Sequence, residues 1–418
     1  MRLHRACLMF HLSCFMRILV IAPTPFFSDR GTHIRILEEA LALEKLGHSI
    51  TIATYHIGRD ILEEVDTKID VRRIRRLLFW YKKLEAGPDW QKIILDLMLI
   101  RKAFYLARTQ KPDIIHGHLH EGALIGWIVQ KALFWRKMKL VADFHGSLTA
   151  EMVSHGYLKG GLNQIFKLVE KMINRMGDGA IASSWEGAEE IGKSRNSNDV
   201  EVVLDGTNLE SFDLPAAKQA IRKELELPEA GPVIIYTGGL VKNKGIDHLL
   251  EASKMILEKK PDAFFLIGGF PVEYAQNFIR ENKLEKNMRL VSPLDYFKLP
   301  QVLMASDIAV DPKNSETTQA SGKMLNYMSA GLPVVCFDTP NNRNYLGAGG
   351  LYCKEMTPNG IADGILRLID NPAEAEEKGR LNKEKAKEFN WDNSGKKIEK
   401  IYLALLSKDQ LKYEITGN

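Results

Sequence analysis

Lys244 and Gly245 stand in TGGLVKNKGIDHLLEA, residues 237–252, where a strand, a loop and a helix follow in succession. A lysine at such a helix start can balance the charge that builds on a departing diphosphate. A second pattern of this kind is SETTQASGKMLNYMSAGLPVVCFD, residues 315–338. There Ala320, Met324, Leu325, Tyr327 and Met328 give one helix an apolar face, Gly331 stops it, and Pro333 opens the branched run Val334, Val335. The orphan N–H groups of its first turn, near Thr318 to Gly322, form a site for phosphate. Gly31, with Thr32, marks another helix start at which a backbone can approach a ligand, although no G-x-G-x-x-G is present. His145 in ADFHGS ends a strand, where side chains face a ligand; a lone histidine there is also a common structural residue. His116, His118 and His120 in IIHGHLHEG have the residue type of a metal cluster, but alternation along a strand is expected to turn them to opposite faces. With no Asp-x-Asp in the chain, no metal is expected.

These residues need rigid elements to hold them. RILVIA at 17–22, SITIAT at 49–54, DIIH at 113–116, KLVADF at 139–144, GAIA at 179–182 and VEVVL at 200–204 alternate with helical stretches, among them Thr32 to about Leu46. Short apolar runs separated by helices predict a parallel, doubly wound sheet with ligands at the carboxyl ends of its strands. DGTNLESFDLPAAK, from Asp205, loses periodicity and reads as a linker. A second series follows: PVIIYT, AFFLIG, MRLVS, DIAV and PVVCFD, the last at 333–338. The chain is therefore expected to hold an N-terminal Rossmann-like domain over 16–205 and a C-terminal one over 206–390, facing across a cleft. A charged helix at 373–388 precedes an amphipathic one from Trp391 through Ile398, Ile401, Tyr402 and Leu405, giving a terminal segment over 391–418. Residues 1–15 contain a short apolar stretch that His11 interrupts, with no small-residue cleavage site. They are read as a disordered or non-native extension, with function beginning at Met16.

A chain of 418 residues can bury two full cores, and 45% hydrophobic with 26% charged residues is ordinary for a globular protein. No apolar run approaches the roughly 18 residues of a membrane-spanning helix. Cys7, Cys14, Cys336 and Cys353 form no C-x-x-C and no Cys/His cluster, which excludes a zinc-ribbon or disulfide-framework reading and fits a reduced, cytoplasmic protein. Net charge is only +4, yet residues 71–139 hold fifteen Lys or Arg against five acids. Basic residues interleave with aromatics in RRIRRLLFWYKK at 72–83 and LFWRKMK at 133–139, a composition that suits an anionic membrane surface. The competing expectation is a solvated charged face whose aromatics lie in the core. No nucleic-acid motif accompanies the charge, so no nucleic-acid partner is expected.

Asn326 to Val335, NYMSAGLPVV, with the Lys244–Gly245 loop, GTHIRILEEALALEKLGHSITIAT and VLDGTN, resembles the retaining, family-four (group 1) glycosyltransferases of GT-B fold. The resemblance runs from Met16 to about Leu405 in unchanged motif order. It implies an α/β chain of two Rossmann-like domains, the first binding an acceptor and the second a nucleotide-sugar donor, UDP- or GDP-linked. The implied reaction moves a hexosyl group to a glycan or lipid-linked acceptor, as in cell-envelope polysaccharide synthesis, with retention, no metal and no further cofactor. By the same resemblance His145 contacts the transferred sugar, and Lys244 and Glu316 complete the catalytic set. Gly31, Gly238, Gly239, Lys244, Thr318, Ser321, Gly322, Lys323 and Asn326 bind the donor. The terminal helix is implied to cross back to the first domain, and the protein to work in the cytoplasm, peripheral at the inner face of the membrane. The chain departs from the family pattern at two places. Asn326 stands at the position of the ribose-holding glutamate, and the family's first glutamate falls on Thr318, with Glu316 nearby. Gly239 stands at the position of the phosphate-binding arginine, for which Lys242 or Lys323 can substitute. Two other readings stay open: a GT-B protein that binds nucleotide, sugar or a partner enzyme without transfer, and a sugar-nucleotide epimerase.

Overall fold

The computed structural model of the protein describes residues 15–82, 89–154, 162–196, 199–214, 217–313 and 322–416. The expected N-terminal extension lies outside them, apart from Phe15. The described chain divides into two compact units, one running to Asp205 and resuming at Trp391, the other from Gly206 to Asn390.

Unit 1 contains strands β1 Arg17–Ala22, β2 Ser49–Thr54, β3 Asp70–Arg73, β4 Ile114–His118, β5 Lys139–Phe144, β6 Gly179–Ala182 and β7 Val200–Val202. Its helices are α1 Gly31–Lys45, α2 Trp90–Gln110, α3 Leu119–Ala132, α4 Leu148–Ser154, α5 Leu162–Ile173 and α6 Trp185–Gly192. The strands form one parallel sheet in the order β3-β2-β1-β4-β5-β6-β7, with Ile18 opposite Ile50 on one side and Ile114 on the other. Leu19, Ile21, Leu95, Leu99, Ile115, Ile125 and Leu140 pack one core of it. Such branched runs, buried on both faces, are what a doubly wound sheet requires of its central strands.

Unit 2 contains β8 Val233–Gly239, β9 Phe264–Phe270, β10 Met288–Val291, β11 Ile308–Asp311, β12 Val334–Phe337 and β13 Gly350–Cys353. They are parallel, in the order β10-β9-β8-β11-β12-β13. The helices are α7 Lys218–Glu224, α8 Ile246–Lys259, α9 Glu273–Glu281, α10 Leu299–Met304, α11 Gly322–Ser329, α12 Pro340–Leu346, α13 Pro358–Asp370 and α14 Pro372–Ala386. Ile234, Phe265, Ile267, Val310, Val335, Ile361 and Ile365 build the core. Met324, Leu325, Tyr327 and Met328 of α11 are buried, and Gly331 ends the turn after it at φ +69°, a conformation that favours glycine.

Helix α15, Trp391–Thr416, belongs to unit 1. It buries Ile398, Tyr402 and Leu405, and Gly395 lies so close to α1 that a Cβ there would stand 2.7 Å from the Ala42 methyl. Lys45 Nζ to Asp392 at 3.0 Å joins the same pair of helices, and His48 Nε2, in the turn after α1, reaches Glu399 of α15 at 3.1 Å.

Three sequence expectations need correction. Strands β3 and β13 were not anticipated, because DVRR carries no apolar run and GLYC is only four residues set between glycines. β3 also removes part of the basic stretch from solvent: Arg73 donates to the carbonyls of Phe26, Ile57 and Arg59. Finally, the presumed linker is held at its start, since Asp205 pairs with Arg35 at 2.7 Å and the Thr207 hydroxyl accepts from Ser329 at 3.0 Å.

Candidate functional site

In each sheet the chain reverses its winding direction between two central strands, β1 and β4 in unit 1, β8 and β11 in unit 2. The carboxyl ends flanking such a reversal are where a doubly wound sheet leaves room for a ligand. The described residues among the donor and sugar candidates lie near one or the other of these strand ends.

In unit 2, β8 ends in Gly238 and Gly239. Gly238 has φ +136°, and its carbonyl lies against Gly269 of β9, where a Cβ would come within 1.8 Å of that oxygen. Glycine is thus required at both ends of this contact. Beside them Lys323 of α11 extends its Nζ to Asp311 Oδ1 at 2.7 Å, with the ring centroid of Tyr236 4.2 Å away. Lys323 is half-buried and Asp311, the last residue of β11, is buried, so the ammonium group is fixed 3.8 Å from the point a Gly238 Cβ would take. Tyr236 donates to the Gly239 carbonyl at 2.9 Å, and the Thr237 amide donates to the Tyr327 hydroxyl at 2.7 Å, which pins α11 to the strand end. Lys244 closes a short 3-10 turn, and Gly245 caps α8 at φ +78°, with a Cβ there falling 2.0 Å from the Pro312 carbonyl oxygen. Asn326 is half-buried, its Oδ1 3.5 Å from the Thr207 hydroxyl that donates to it. Of the predicted donor-site residues, Gly238, Gly239, Lys244, Gly322, Lys323 and Asn326 all belong to this unit. Glu316, Thr318 and Ser321 lie outside the described residues. Lys242 is exposed, its Nζ 5.6 Å from the centroid of Tyr274, whereas Lys323 stands directly at the glycine turn.

In unit 1, Gly31 opens α1 after the loop that leaves β1, and a Cβ on it would meet nothing within 4 Å. His145 follows β5 and is half-buried. Its Nε2 lies 3.1 Å from His118 Nδ1 and 3.8 Å from Asp143 Oδ1. Contrary to the expected alternation, His116 and His118 share a face of β4, because residues two apart on a strand point the same way. Their rings stack at 4.3 Å, and both reach Asp143, at 3.4 and 3.5 Å. Arg35 completes the cluster from α1, its guanidinium 3.1 Å from Asp143, 2.8 Å from Glu39 and 2.7 Å from Asp205. The Tyr402 hydroxyl of α15 shares a hydrogen bond of 2.5 Å with His116 Nδ1.

One ligand atom from each of Glu39, His116, His118 and Asp143 lies within 4.8 Å of the others, close enough together to reach one metal ion. Arg35 already supplies a positive charge to both carboxylates there. Burial pushes the Asp143 carboxyl up, but Arg35 and His145 outweigh it and hold it well below the usual range. Burial raises Glu39 well above its ordinary value despite Arg35, which favours its neutral form. His145 is lowered to about 3, chiefly by burial and by Arg35 against the opposing pull of Asp143, and burial and His116 lower His118 as well. At neutral pH the two imidazoles are uncharged, and an N–H of one donates to the ring nitrogen of the other across the His118 Nδ1–His145 Nε2 contact. Arg35, Glu39, Asp143 and Asp311 were not singled out from sequence. The available signal was Arg35 and Glu39 four apart on a helix whose neighbours Ile36, Leu37 and Ala40 are apolar.

The aromatics of the basic segments are divided. Tyr81 is buried, beside the equally buried Leu78, but Phe79, Trp80, Phe134 and Trp135 are exposed, so the expectation that the aromatics all lie in the core fails. Among the described residues no helix is long and apolar enough to cross a membrane. A cavity of about 570 Å³ opens at the amino ends of unit 2's strands, lined by Gly231, Pro232, Asp307, Ile308, Leu332 and Pro333, away from the site at their carboxyl ends.

Comparison with known proteins gives two family matches: Glycosyltransferase Family 4 over residues 30–211 and Glycosyl transferases group 1 over residues 217–388. The chain is 23% identical over 396 residues to a D-inositol 3-phosphate glycosyltransferase of Streptosporangium roseum, covering 90% of this chain and 89% of the relative. It is 22% identical over 414 residues to a glycogen synthase of Mycobacterium tuberculosis, covering 93% and 95%. Among solved structures, the sucrose-phosphate synthase of Thermosynechococcus elongatus superposes with a TM-score of 0.77 at 18% identity, over 94% of this chain and 100% of that one. Anabaena HepE in complex with UDP-glucose superposes at 0.73 and 17% identity, over the same shares. Two parallel Rossmann-like sheets, with both halves of the chain matched in order by the two models, are a GT-B architecture, and the chain belongs to the group 1, family 4 glycosyltransferases.

Proposed function

We propose that this glycosyltransferase moves a hexosyl group from a UDP- or GDP-linked donor to a glycan or lipid-linked acceptor, with retention and without a metal ion. The observation that carries the reading is the cradle at the end of β8. A cation, Lys323, is held by buried Asp311 beside the Gly238–Gly239 turn, and Lys244 and Gly245 stand at the head of α8. Fixed cations and backbone N–H groups suit a diphosphate, and preorganisation makes them most effective on the charge of the leaving group. In the proposed step the bond from the anomeric carbon to the phosphate oxygen breaks as the bond to the acceptor oxygen forms on the same face. The acceptor's hydroxyl proton passes to the departing phosphate, so no protein nucleophile is needed. Lys244 and Lys323 balance the diphosphate charge, Asn326 hydrogen-bonds the ribose, and neutral His145 holds the sugar through a hydrogen bond. Glu316, Thr318 and Ser321 are assigned to the sugar and phosphates by family resemblance alone. Residues 72–83 and 133–139, which expose Phe79, Trp80, Phe134 and Trp135, suit contact with an anionic membrane at the inner face of the cell membrane.

The second reading, a binding protein without turnover, is favoured by Gly239 and Asn326 standing where the family has arginine and glutamate. Incubation with UDP-, GDP- and ADP-sugars together with a panel of glycan and lipid-linked acceptors separates the two. The expected result is release of one nucleoside diphosphate, at a rate that His145→Ala lowers by two orders of magnitude or more, with donor affinity changed less than threefold. Stabilisation by a donor without any product would establish the binding reading. A free, epimerised sugar nucleotide as product would establish an epimerase.

A further inference from the structure

Helix α5 presents an apolar face to solvent that the catalytic reading leaves unused. Ile165, Leu168, Val169 and Met172 are 58%, 60%, 42% and 55% exposed. At about 100° per residue these four positions fall within an arc of about 100°, one continuous stripe along about two turns. Glu170 points the other way, buried, where it accepts from the Leu148 amide at 2.8 Å, the Thr149 amide at 3.1 Å and the Thr149 hydroxyl. The remaining exposed charges on the helix are both cationic, Lys167 and Lys171, and they flank the stripe on the side away from the buried contact.

We propose that α5 is a membrane-docking helix that lies in the plane of an anionic lipid surface. Ile165, Leu168, Val169 and Met172 enter the acyl boundary, and Lys167 and Lys171 meet the headgroups. An amphipathic helix with an apolar stripe and a lysine flank gains from both terms on such a surface. A second copy of the chain fits the face poorly. One two-turn stripe covers a few hundred Å², short of the roughly 800 Å² per partner that a stable interface takes, and the lysines of two copies would oppose one another. Glu170 connects the helix to the chain three and four residues beyond His145, so docking of α5 brings the His145 loop to the bilayer. That consequence, an acceptor presented from the membrane, rests on the proposed transferase reading; the docking itself does not.

The test is co-sedimentation of the full-length protein with vesicles of phosphatidylglycerol and phosphatidylethanolamine, and with vesicles of phosphatidylcholine alone, in the absence of donor. The expected result is preferential binding to the anionic vesicles, weakened at least tenfold by Leu168→Glu with Met172→Glu, because two apolar side chains no longer leave water. Lys167→Gln with Lys171→Gln is expected to reduce the preference for anionic lipid. Both double variants should keep the thermal midpoint and the donor-induced shift of the parent, since none of the four side chains lies in either unit's site. Equal binding by Leu168→Glu/Met172→Glu and the parent would overturn the proposal, as would failure of the parent to bind either vesicle. A dimer seen by sedimentation velocity and lost in that variant would give the face to a second copy instead.

Discussion

Replacing Lys323 by methionine keeps the aliphatic stem and removes the charge, leaving Asp311 buried without its ion pair. At the observed 2.7 Å and an effective dielectric of about 20, the attraction is about 6 kcal/mol. Part of this is offset because the lysine no longer gives up its own hydration, and breaking buried pairs costs about 3–5 kcal/mol. A loss of about 3 kcal/mol in a unit of this size lowers the thermal midpoint by about 6–12 °C. Asp311→Asn in the same chain should restore much of the stability, giving a coupling of about 2 kcal/mol in the double-mutant cycle. The same lysine is assigned to the donor phosphates, so Lys323→Met should also weaken binding of a nucleoside diphosphate by about 10- to 100-fold. Affinity for the corresponding nucleoside should scarcely change, as titration calorimetry would read. A midpoint drop below about 2 °C, or additive single variants, would refute the structural reasoning. An equal loss for nucleoside and diphosphate would refute the phosphate assignment while leaving the ion pair intact.

Two further predictions follow from the geometry. Gly245→Ala forces a Cβ to within 2.0 Å of a carbonyl at φ +78°, so it should cost about 2–4 kcal/mol in thermal or chemical denaturation; Gly31→Ala, with open space around it, should cost under about 1 kcal/mol, so lost turnover in that variant would report a ligand's approach. Stability should also fall as pH drops from about 6.5 toward 3, because burial, together with Arg30 for His33 and Arg35 for His145, lowers both histidines to about 3. In that window the unfolded chain binds more protons than the folded one, and each histidine contributes a slope of up to about 1.4 kcal/mol per pH unit. Asp96, which burial raises to about 6, acts with the opposite sign below that value. His33→Asn should therefore flatten the decline of the midpoint between pH 7 and 5, and an unchanged slope would sink the assignment.

What could be read in the sequence was set by how strongly the environment dictates residue type. Central strands such as RILVIA and KLVADF must be apolar on both faces, and they were legible to the residue. The edge strand Asp70–Arg73 faces no such demand, and its pairing with Thr51 to Thr54 leaves no trace in composition. Gly245 and Gly331 were legible for a comparable reason, because a positive φ selects glycine. Partnerships across long separations were not: Lys323 finds Asp311 and Arg35 finds Asp143 only because the sheet brings their strand ends together. The histidines of β4 show a different limit. Their types were visible, but the period of the strand places His116 and His118 on one face, and that parity decides that they stack against Asp143.

The cluster around Arg35 then limits what unit 1 can contribute to a transfer. Three carboxylates converge on one guanidinium, and beside Asp143 the imidazoles of His118 and His145 are buried groups whose charging costs desolvation. Arg35 relieves the excess negative charge with Asp143 ionised, and Glu39 does so by tending toward its neutral form. His145, held to about 3, is left with no means of becoming an imidazolium at a working pH. It can orient a hydroxyl by a single hydrogen bond but cannot balance a leaving diphosphate. In the proposed transfer that charge is assigned to the lysines of unit 2, and on that assignment His145→Ala should act on turnover with little effect on donor affinity, and Lys323→Met on affinity for the diphosphate first.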